Sequence, residues 1–352
     1  MLDIKITRTA TPKAKPTDET KLGFGKKFSD HMFVMDYTEG EGWHDARIVP
    51  YGPFELDPAT VVFHYAQEIF EGMKAYRTAD DTVQLFRPDC NAKRFQDSAD
   101  RLCIPKIPVE DYIQAVEALV DVDRDWVPHT DGASLYIRPF MIGTNSVIGV
   151  KPATEFEFRI FCTPVGPYFK GGAKPIAIKV SDYDRAAPHG TGNIKAGLNY
   201  AMSLHAIMEA HREGFAENMY LDAATRTKVE ETGGANFIFV TKDGKLVTPK
   251  SDSILPSVTR RSLLVVAEKY LHMPVEEREV YFSEVPDFAE CGLCGTAAVI
   301  SPVGLINDHG KEIRIPSGMD EMGPVLTKLY TTLRGIQQCE IEAPEGWILK
   351  IQ

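Results

Sequence analysis

The sequence predicts an α+β protein of two domains, with mixed sheets and flanking helices, and three observations carry that prediction. A chain of 352 residues, 43% of them hydrophobic, exceeds what one core usually supports. Short strand patterns and amphipathic helix patterns interleave without the repeating βαβ period of a doubly wound parallel sheet. A stretch broken by proline and glycine, from Thr163-Pro164 to Gly171-Gly172, interrupts all periodicity near the middle. We therefore expect an N-terminal extension over 1–30, a small α+β domain over 31–164, a linker over 165–174 and a large domain over 175–352.

Composition excludes several function classes. The formal charge of -11 arises from 50 acidic against 39 basic residues, with no long basic run, so nucleic acid is not expected as a partner. No apolar run approaches membrane-spanning length, and the N-terminus mixes Asp3, Lys5 and Arg8 instead of presenting a basic and then an apolar segment. A soluble, unexported, cytoplasmic protein with no membrane partner is the expectation. The six cysteines are sparse for a disulfide scaffold and suit a reducing compartment. Only Cys291-Gly-Leu-Cys294 has a suggestive spacing, and with no second pair nearby it reads as buried thiols and not as a metal site, with a redox pair as the alternative.

Residues 1–30 are polar and proline-broken, and should drape over the surface without a fold of their own. Strands follow at 32–37 and 46–49, separated by a Glu-Gly-Glu-Gly turn. The 63–77 segment reads as a short helix halted by Gly72 and then a strand. After a strand at 83–86, the pattern over 89–103 is helical with Phe95, Ala99, Leu102 and Cys103 on one face. Arg94 and Arg101 fall off that stripe, and Arg101 reads as solvated. A second helix spans 109–123, and strands at 134–142 and 155–161 close this half. The other half opens with a strand at 175–180, followed by a glycine-rich loop and a helix over 199–212. Strands at 219–221 and 237–240 come next, the latter turning at Lys242-Asp243-Gly244-Lys245 into Leu246-Val247. An amphipathic helix begins at Ser257 and ends near Tyr270, with the N–H groups and dipole of its N-terminus suited to a phosphate. Cys294-Gly295-Thr296-Ala297-Ala298 is a small-residue turn able to present backbone donors, and a last helix near 318–338 reads as packing material.

The chemistry centres on the glycine-rich loop, His189-Gly190-Thr191-Gly192-Asn193-Ile194-Lys195-Ala196-Gly197-Leu198-Asn199-Tyr200. A lysine among small uncharged neighbours is easily desolvated, which favours the nucleophilic amine and makes Lys195 a candidate covalent catalyst. Neither a P-loop, which needs Ser or Thr directly after the lysine, nor a dinucleotide loop, with its third glycine three residues after the second, matches this stretch. A cofactor that binds a lysine, carries a phosphate and needs an acid for its ring nitrogen would account for these scattered features together, and pyridoxal phosphate is such a cofactor.

From about Leu22 to Trp347 the chain resembles the branched-chain amino acid aminotransferases of the fold-type IV pyridoxal-phosphate group, the D-amino acid aminotransferase-like fold. The motifs carrying the resemblance are Phe24-Gly25 with Asp30-His31-Met32, His64-Tyr65 with Phe70-Glu71-Gly72-Met73-Lys74-Ala75, and Tyr136-Ile137-Arg138-Pro139. Further along stand Val165-Gly166-Pro167-Tyr168-Phe169, Gly190-Thr191-Gly192-Asn193 with Lys195, Asn199-Tyr200, Glu231 with Gly234 and Asn236-Phe237, and Gly295-Thr296-Ala297. The resemblance implies that the 175–352 domain binds pyridoxal 5'-phosphate and that Lys195 holds it and shuttles the substrate proton. Tyr200 would bond the ring oxygen and Arg94 the phosphate, with backbone donors at Val258, Thr259 and Thr296 completing the phosphate cup and Gly234 in the Glu231 motif. Glu231 matches the partner of the pyridine nitrogen, with Asn236 five residues later as the family motif requires, while Glu230 is its rival on the residues alone.

For the substrate, Phe70, Tyr168 and Tyr200 resemble the walls of an apolar pocket for L-leucine, L-isoleucine or L-valine, and Thr296 and Ala297 would hold the α-carboxylate. Tyr65 and the segment carrying Ile148 and Val150 would reach a neighbouring subunit's site, which implies a homodimer. The reaction the resemblance implies would exchange amino groups among these amino acids, their 2-oxo acids, glutamate and 2-oxoglutarate. One pocket must then accept both a branched side chain and a carboxylate, and burying an unpaired carboxylate is prohibitive. Arg138, with Tyr136 beside it, is the candidate for that charge, the alternative being that Arg138 pairs with a structural acid. Leu198 departs from the family, where a second glycine commonly precedes Asn-Tyr, and the cysteine pair that some relatives carry just after Gly-Thr-Ala is absent. Rival functions are a D-amino acid aminotransferase, an aminodeoxychorismate lyase, or a non-catalytic pyridoxal-phosphate-binding protein.

Overall fold

The computed structural model describes residues 1–168 and 173–351, and the chain divides into two compact units. The first comprises Met1–Tyr168, Lys195–Gly197 and Gln337–Gln352, and the second Phe169–Ile194 and Leu198–Ile336. Part of the expected linker, 169–172, lies outside the described residues.

The first unit contains β1 (Lys5–Ile6), β2 (His31–Thr38), β3 (Gly42–Pro50), α1 (Val61–Tyr65), β4 (Glu68–Phe70), β5 (Met73–Arg77), β6 (Val83–Phe86), α2 (Pro88–Arg101), α3 (Val109–Val122), β7 (Ser134–Gly143) and β8 (Glu155–Val165). Together with a last strand near the C-terminus they form a nine-stranded sheet, ordered β1-β3-β2-β8-β7-β5-β6 and then that strand, with β4 also on β7. All pairs are antiparallel except β1 with β3. Phe33, Phe95, Tyr112 and Phe158, all fully buried, join α2 and α3 to the sheet through ring contacts of 5.4 to 5.8 Å.

Three expectations are corrected here. The N-terminal segment is fastened to the sheet, since Lys5 and Ile6 pair with Arg47 and Ile48 and Thr9 N donates to His31 Nε2 at 2.9 Å. The helix expected to run up to Gly72 ends after Tyr65, where Ala66 turns left-handed with φ 49°. Buried Gln67 then fixes the chain, donating from Nε2 to Leu102 O at 2.9 Å and accepting from Ala153 N at 3.0 Å, and Glu68–Phe70 becomes a strand on β7. The helix expected over 89–103 stops at Arg101, which leaves Cys103 exposed with φ 54° and off the predicted apolar face.

The second unit holds β9 (Ile176–Val180), α4 (Gly197–Arg212, whose first residue is counted with the first unit), β10 (Glu217–Met219), β11 (Asn236–Val240), β12 (Leu246–Pro249), α5 (Val258–Lys269), β13 (Val275–Arg278), β14 (Glu290–Gly295), β15 (Val299–Asp308), β16 (Lys311–Arg314) and α6 (Pro324–Gln337, whose last residue is counted with the first unit). Its eight-stranded sheet is mixed and runs β10-β9-β15-β14-β11-β12-β13, with β16 on β15. The core gathers Phe237 and Phe239, stacked at 5.6 Å, with Phe288 4.5 Å from Phe239. The C-terminal tail, expected with this domain, belongs to the first unit. Trp347 packs edge-on against Phe86 at 5.5 Å and under the Arg87 guanidinium at 4.5 Å, and β17 (Ile348–Ile351) continues the first sheet by pairing with β6.

Cys291 and Cys294 both lie on β14, fully buried. Side chains three apart on a strand point to opposite faces, so the pair cannot close on itself, and burial pushes both thiols well above their ordinary range. We expect native protein treated with a thiol-alkylating reagent to be labelled first at the exposed Cys103 and Cys339. Mass-spectrometric mapping checks this, and early labelling of Cys291 or Cys294 would contradict their placement.

Candidate active site

In the first unit, the backbone of Lys195 is held on both sides. Its carbonyl accepts from Phe70 N at 3.0 Å, and its N–H donates at 3.0 Å to Ser98 Oγ, which itself donates to Arg94 O at 2.9 Å. A Cβ at Gly197 would lie 1.8 Å from Glu68 Oε1, so any side chain there would displace the Glu68 carboxyl. With the main chain so held, the Lys195 ammonium stands 4.8 Å from the centre of the Phe70 ring. Behind it Glu71, fully buried, accepts from Arg94 Nε at 2.7 Å and Nη2 at 2.8 Å, and from Asn91 Nδ2 at 2.7 Å. Burial alone would raise the Glu71 carboxyl, but Arg94, those hydrogen bonds and Lys195 more than offset it and hold the group below its usual range.

Arg138 lies next to this cluster. Its guanidinium stacks 4.7 Å above Phe70, Nη2 donates to Tyr136 Oη at 3.1 Å, and its buried Nε has no partner. Among the described residues no carboxylate stands within ion-pair distance of it. Glu68 is near enough to feel its charge: burial raises the Glu68 carboxyl, opposed by the Gly197 N–H and then by Arg138. Tyr65, Ile148, Val150 and Tyr168 are instead exposed. Val61 N donates to Asn145 O at 2.9 Å and Thr60 bridges Ser146, so the segments carrying Tyr65, Ile148 and Val150 are neighbours in this unit.

In the second unit, the loop leading to Lys195 is stapled by Asn199, whose Nδ2 donates to Thr191 O at 2.7 Å and Ile194 O at 3.0 Å. Tyr200, the next residue, is half-buried. Glu231 lies beside β11, fully buried: Oε1 accepts from Leu255 N at 2.9 Å and meets Arg185 Nη2 at 2.6 Å, and Oε2 accepts from Asn236 Nδ2 at 2.6 Å. Burial lifts its carboxyl to about 7 even with Arg185 against it. Its rival Glu230 accepts instead from the hydroxyls of Ser251 and Ser253. Because Asn236 pairs with Cys294 across β11 and β14, the turn holding exposed Gly234 lies beside the turn Gly295–Ala298 that holds Thr296 and Ala297. Val299, with φ 64°, closes the latter in a conformation costly for a β-branched residue.

Two features of this unit fit pyridoxal 5'-phosphate. Val258 and Thr259 are buried at the start of α5, where first-turn N–H groups have no intrahelical acceptor, and the Ser257 side chain caps Arg260 N, at 3.2 Å. The Glu231 carboxyl, lifted by burial, is short of positive charge, which a protonated pyridine nitrogen would supply.

Sequence reasoning missed Asn91, Ser98, Glu71 and Arg185. For the helix residues a signal existed: Asn91, Arg94 and Ser98 form a polar stripe at i, i+3 and i+7 alongside the apolar one, and α2 buries both. Glu71 stands in the Phe70–Ala75 motif, but nothing local announces its role, and no pattern announces Arg185; the partners of both are distant in sequence.

Residues 68–306 match the family model for class IV amino-transferases. The branched-chain-amino-acid aminotransferase of Haemophilus influenzae is 46% identical over 96% of this chain and 100% of its own length. Among solved structures, the Escherichia coli branched-chain amino acid aminotransferase superposes with a TM-score of 0.75 at 26% identity, covering 92% of this chain and 99% of its own. The branched-chain aminotransferase of the archaeon Thermoproteus uzoniensis, solved with norvaline, gives 0.74 at 25%, covering 92% and 100%. A further branched-chain amino acid aminotransferase, solved with pyridoxamine 5'-phosphate, gives 0.75 at 26%, covering 90% and 98%.

Glu231 also makes stability depend on pH. The unfolded chain releases this proton near 4.5 and the folded protein near 7, so between these values the native state holds more protons and loses stability as pH rises. We expect the stability of cofactor-free protein, measured against Glu231→Gln, to fall by up to about 3 kcal/mol from pH 4.5 to 7 and to level off above. Denaturant melts of both proteins at several pH values check this, and a constant difference would contradict it.

Proposed function

Since the chain belongs to the class IV aminotransferase family, we propose that it is a pyridoxal-phosphate-dependent branched-chain amino acid aminotransferase, moving the amino group between L-leucine, L-isoleucine or L-valine and 2-oxoglutarate. The observation that carries this reading beyond the family is the grouping of Lys195, Phe70, Tyr136 and Arg138 in one unit, with no ion pair to Arg138 among the described residues. An apolar ring and a guanidinium side by side suit a reaction that alternates a branched side chain with a carboxylate.

Lys195 would hold the cofactor, with Arg94, Val258, Thr259 and Thr296 around its phosphate, Tyr200 at its ring oxygen, Glu231 at its ring nitrogen and Gly234 in the turn alongside. When bound, pyridoxal 5'-phosphate supplies an electron sink for the pair left when the substrate α-carbon loses its proton. The Nζ of Lys195 takes that proton and returns it, and the clamp on its backbone restricts where Nζ can reach. Glu71 orients the Arg94 fork, and the Glu231 carboxylate would keep a proton on the cofactor's ring nitrogen. Thr296 and Ala297 would receive the α-carboxylate, and Phe70 the branched side chain, with Tyr168 as a further wall. Arg138 can bind the second carboxylate of glutamate through paired charge-assisted bonds while its stem lies along apolar surface when leucine is present.

A homodimer is the working unit we assign. Supporting it, Tyr65, Ile148 and Val150 are exposed on neighbouring segments, and α4 turns Leu204 and Met208 outward while burying Asn199, Ser203, Ala206 and Ala210. Apolar exposure of this kind commonly marks an interface. We place the protein in the cytoplasm, consistent with six free cysteines. Among the described residues no helix is long and apolar enough to cross a membrane.

Purified protein given 2-oxoglutarate and a panel of L- and D-amino acids should form glutamate with L-leucine, L-isoleucine and L-valine, and preferential use of D-amino acids would overturn the reading. Lys195→Ala should abolish turnover and the visible absorption of bound cofactor; retained turnover would move that role to another lysine. Arg138→Met should slow the glutamate and 2-oxoglutarate half-reaction by about tenfold to a hundredfold, roughly 1.5–3 kcal/mol, and spare the leucine half-reaction. Single-turnover rates for each half-reaction check this, and an equal fall in both would show that Arg138 does not discriminate.

A further inference from the structure

Arg185 belongs to no motif that points to the site, yet it converges on the acid at the cofactor's ring end. It lies in the loop between β9 and α4, 6% exposed, and one nitrogen, Nη2, serves three partners. That atom meets Glu231 Oε1 at 2.6 Å and donates to Gly192 O at 2.9 Å and to Ser253 O. Gly192 precedes Lys195 by three residues, and Ser253 precedes the start of α5 by five. Arg185 therefore ties the ring-nitrogen acid to the loop leading to the cofactor lysine and to the loop leading to the phosphate helix. The fit leaves no slack: a Cβ on Gly192 would lie 2.8 Å from Arg185 Nη2 and 2.2 Å from Ser253 O.

We propose that Arg185 is a positioning residue that favours the ionised form of the Glu231 carboxyl and fixes its orientation, and so determines how firmly the pyridine nitrogen of the cofactor can be held protonated. This rests on the assignment of Glu231 made above. A buried carboxylate without a counter-charge takes up a proton. The leading charges that bear on Glu231 among the described residues are Arg185 and Arg260 of α5, both favouring the anion, with Glu230 opposing it and the neutral thiol of Cys294 on β14 nearby. Of these, Arg185 alone stands in ion-pair contact with it among the described residues. An ionised Glu231 holds the ring proton on nitrogen, whereas a neutral one could only donate a hydrogen bond and would leave the ring uncharged.

The experiment uses the full chain, with and without pyridoxal 5'-phosphate. Infrared titration of the cofactor-free protein follows the protonated-carboxyl band of Glu231, assigned by its absence in Glu231→Gln. Arg185→Met should move the midpoint of this band upward by about one to three pH units, the range for loss of an adjacent opposite charge, and Arg185→Lys should restore most of the shift. Affinity for pyridoxal 5'-phosphate, read by fluorescence titration at neutral pH, should fall about tenfold in Arg185→Met and recover in Arg185→Lys. A midpoint unchanged in Arg185→Met, with both variants equally weakened, would overturn the proposal and leave Arg185 a loop staple. Should Arg185→Met fail to fold, the Arg185→Met/Glu231→Gln pair should fold, because its second change removes the stranded carboxylate; failure of the pair would also overturn it. If Glu231→Gln bound the cofactor with parental affinity and spectrum, the ring-nitrogen assignment would fall, while the infrared shift would still report the charge coupling.

Discussion

A carboxylate removed from water must find positive charge or take up a proton, and two such groups in this chain meet that demand differently. Glu71 meets its cation in Arg94 and is further served by Asn91 and Lys195, so it stays ionised within the first unit. Glu231 meets Arg185 but remains undercharged, with its carboxyl lifted by burial to about 7. The contrast is physical: the first acid is saturated and works as scaffold, while the second retains an appetite for a cation. In the reading proposed above, that appetite is directed at the ring nitrogen of the cofactor.

The backbone around Lys195 follows from the same need to satisfy buried polar groups. Its carbonyl and N–H are both paired, by Phe70 N and Ser98 Oγ, and the glycine two residues on leaves space for the Glu68 carboxyl. In the second unit Asn199 satisfies two loop carbonyls at once. A long, flexible lysine side chain can serve one reacting atom only if its root does not wander, and these bonds fix the root. Arg138 shows the complementary case, a guanidinium left without a carboxylate and resting on an aromatic face, able to meet charge or apolar surface.

Much of the frame was legible because periodicity is local. Strands β2, β6, β7, β8, β11 and β12, helices α2 to α6, and the mixed character of the sheets all follow from alternation, helical spacing and glycine or proline punctuation. The failures are equally physical. Tyr65 to Phe70 reads as one helix, but Gln67 finds better partners in Leu102 and Ala153 than a further turn could offer. Lys5 and Ile6 have no pattern of their own and become a strand only because β3 presents an edge.

By itself the sequence determined which residue types stand at the key positions: one lysine in a glycine-rich loop, acids at 230 and 231, an arginine at 94 off the apolar stripe, and another at 138 on a strand. Tertiary structure separated the two acids, giving Glu230 to serine hydroxyls and Glu231 to Arg185, because neighbouring residues on an extended chain face opposite ways. Tertiary structure also decided that Arg94 is buried, through Glu71, and that among the described residues no carboxylate stands in ion-pair contact with Arg138, Glu68 acting on it only from further off. Charge pairing acts through space between residues tens of positions apart, whereas periodicity records only the relation of each segment to its own neighbours.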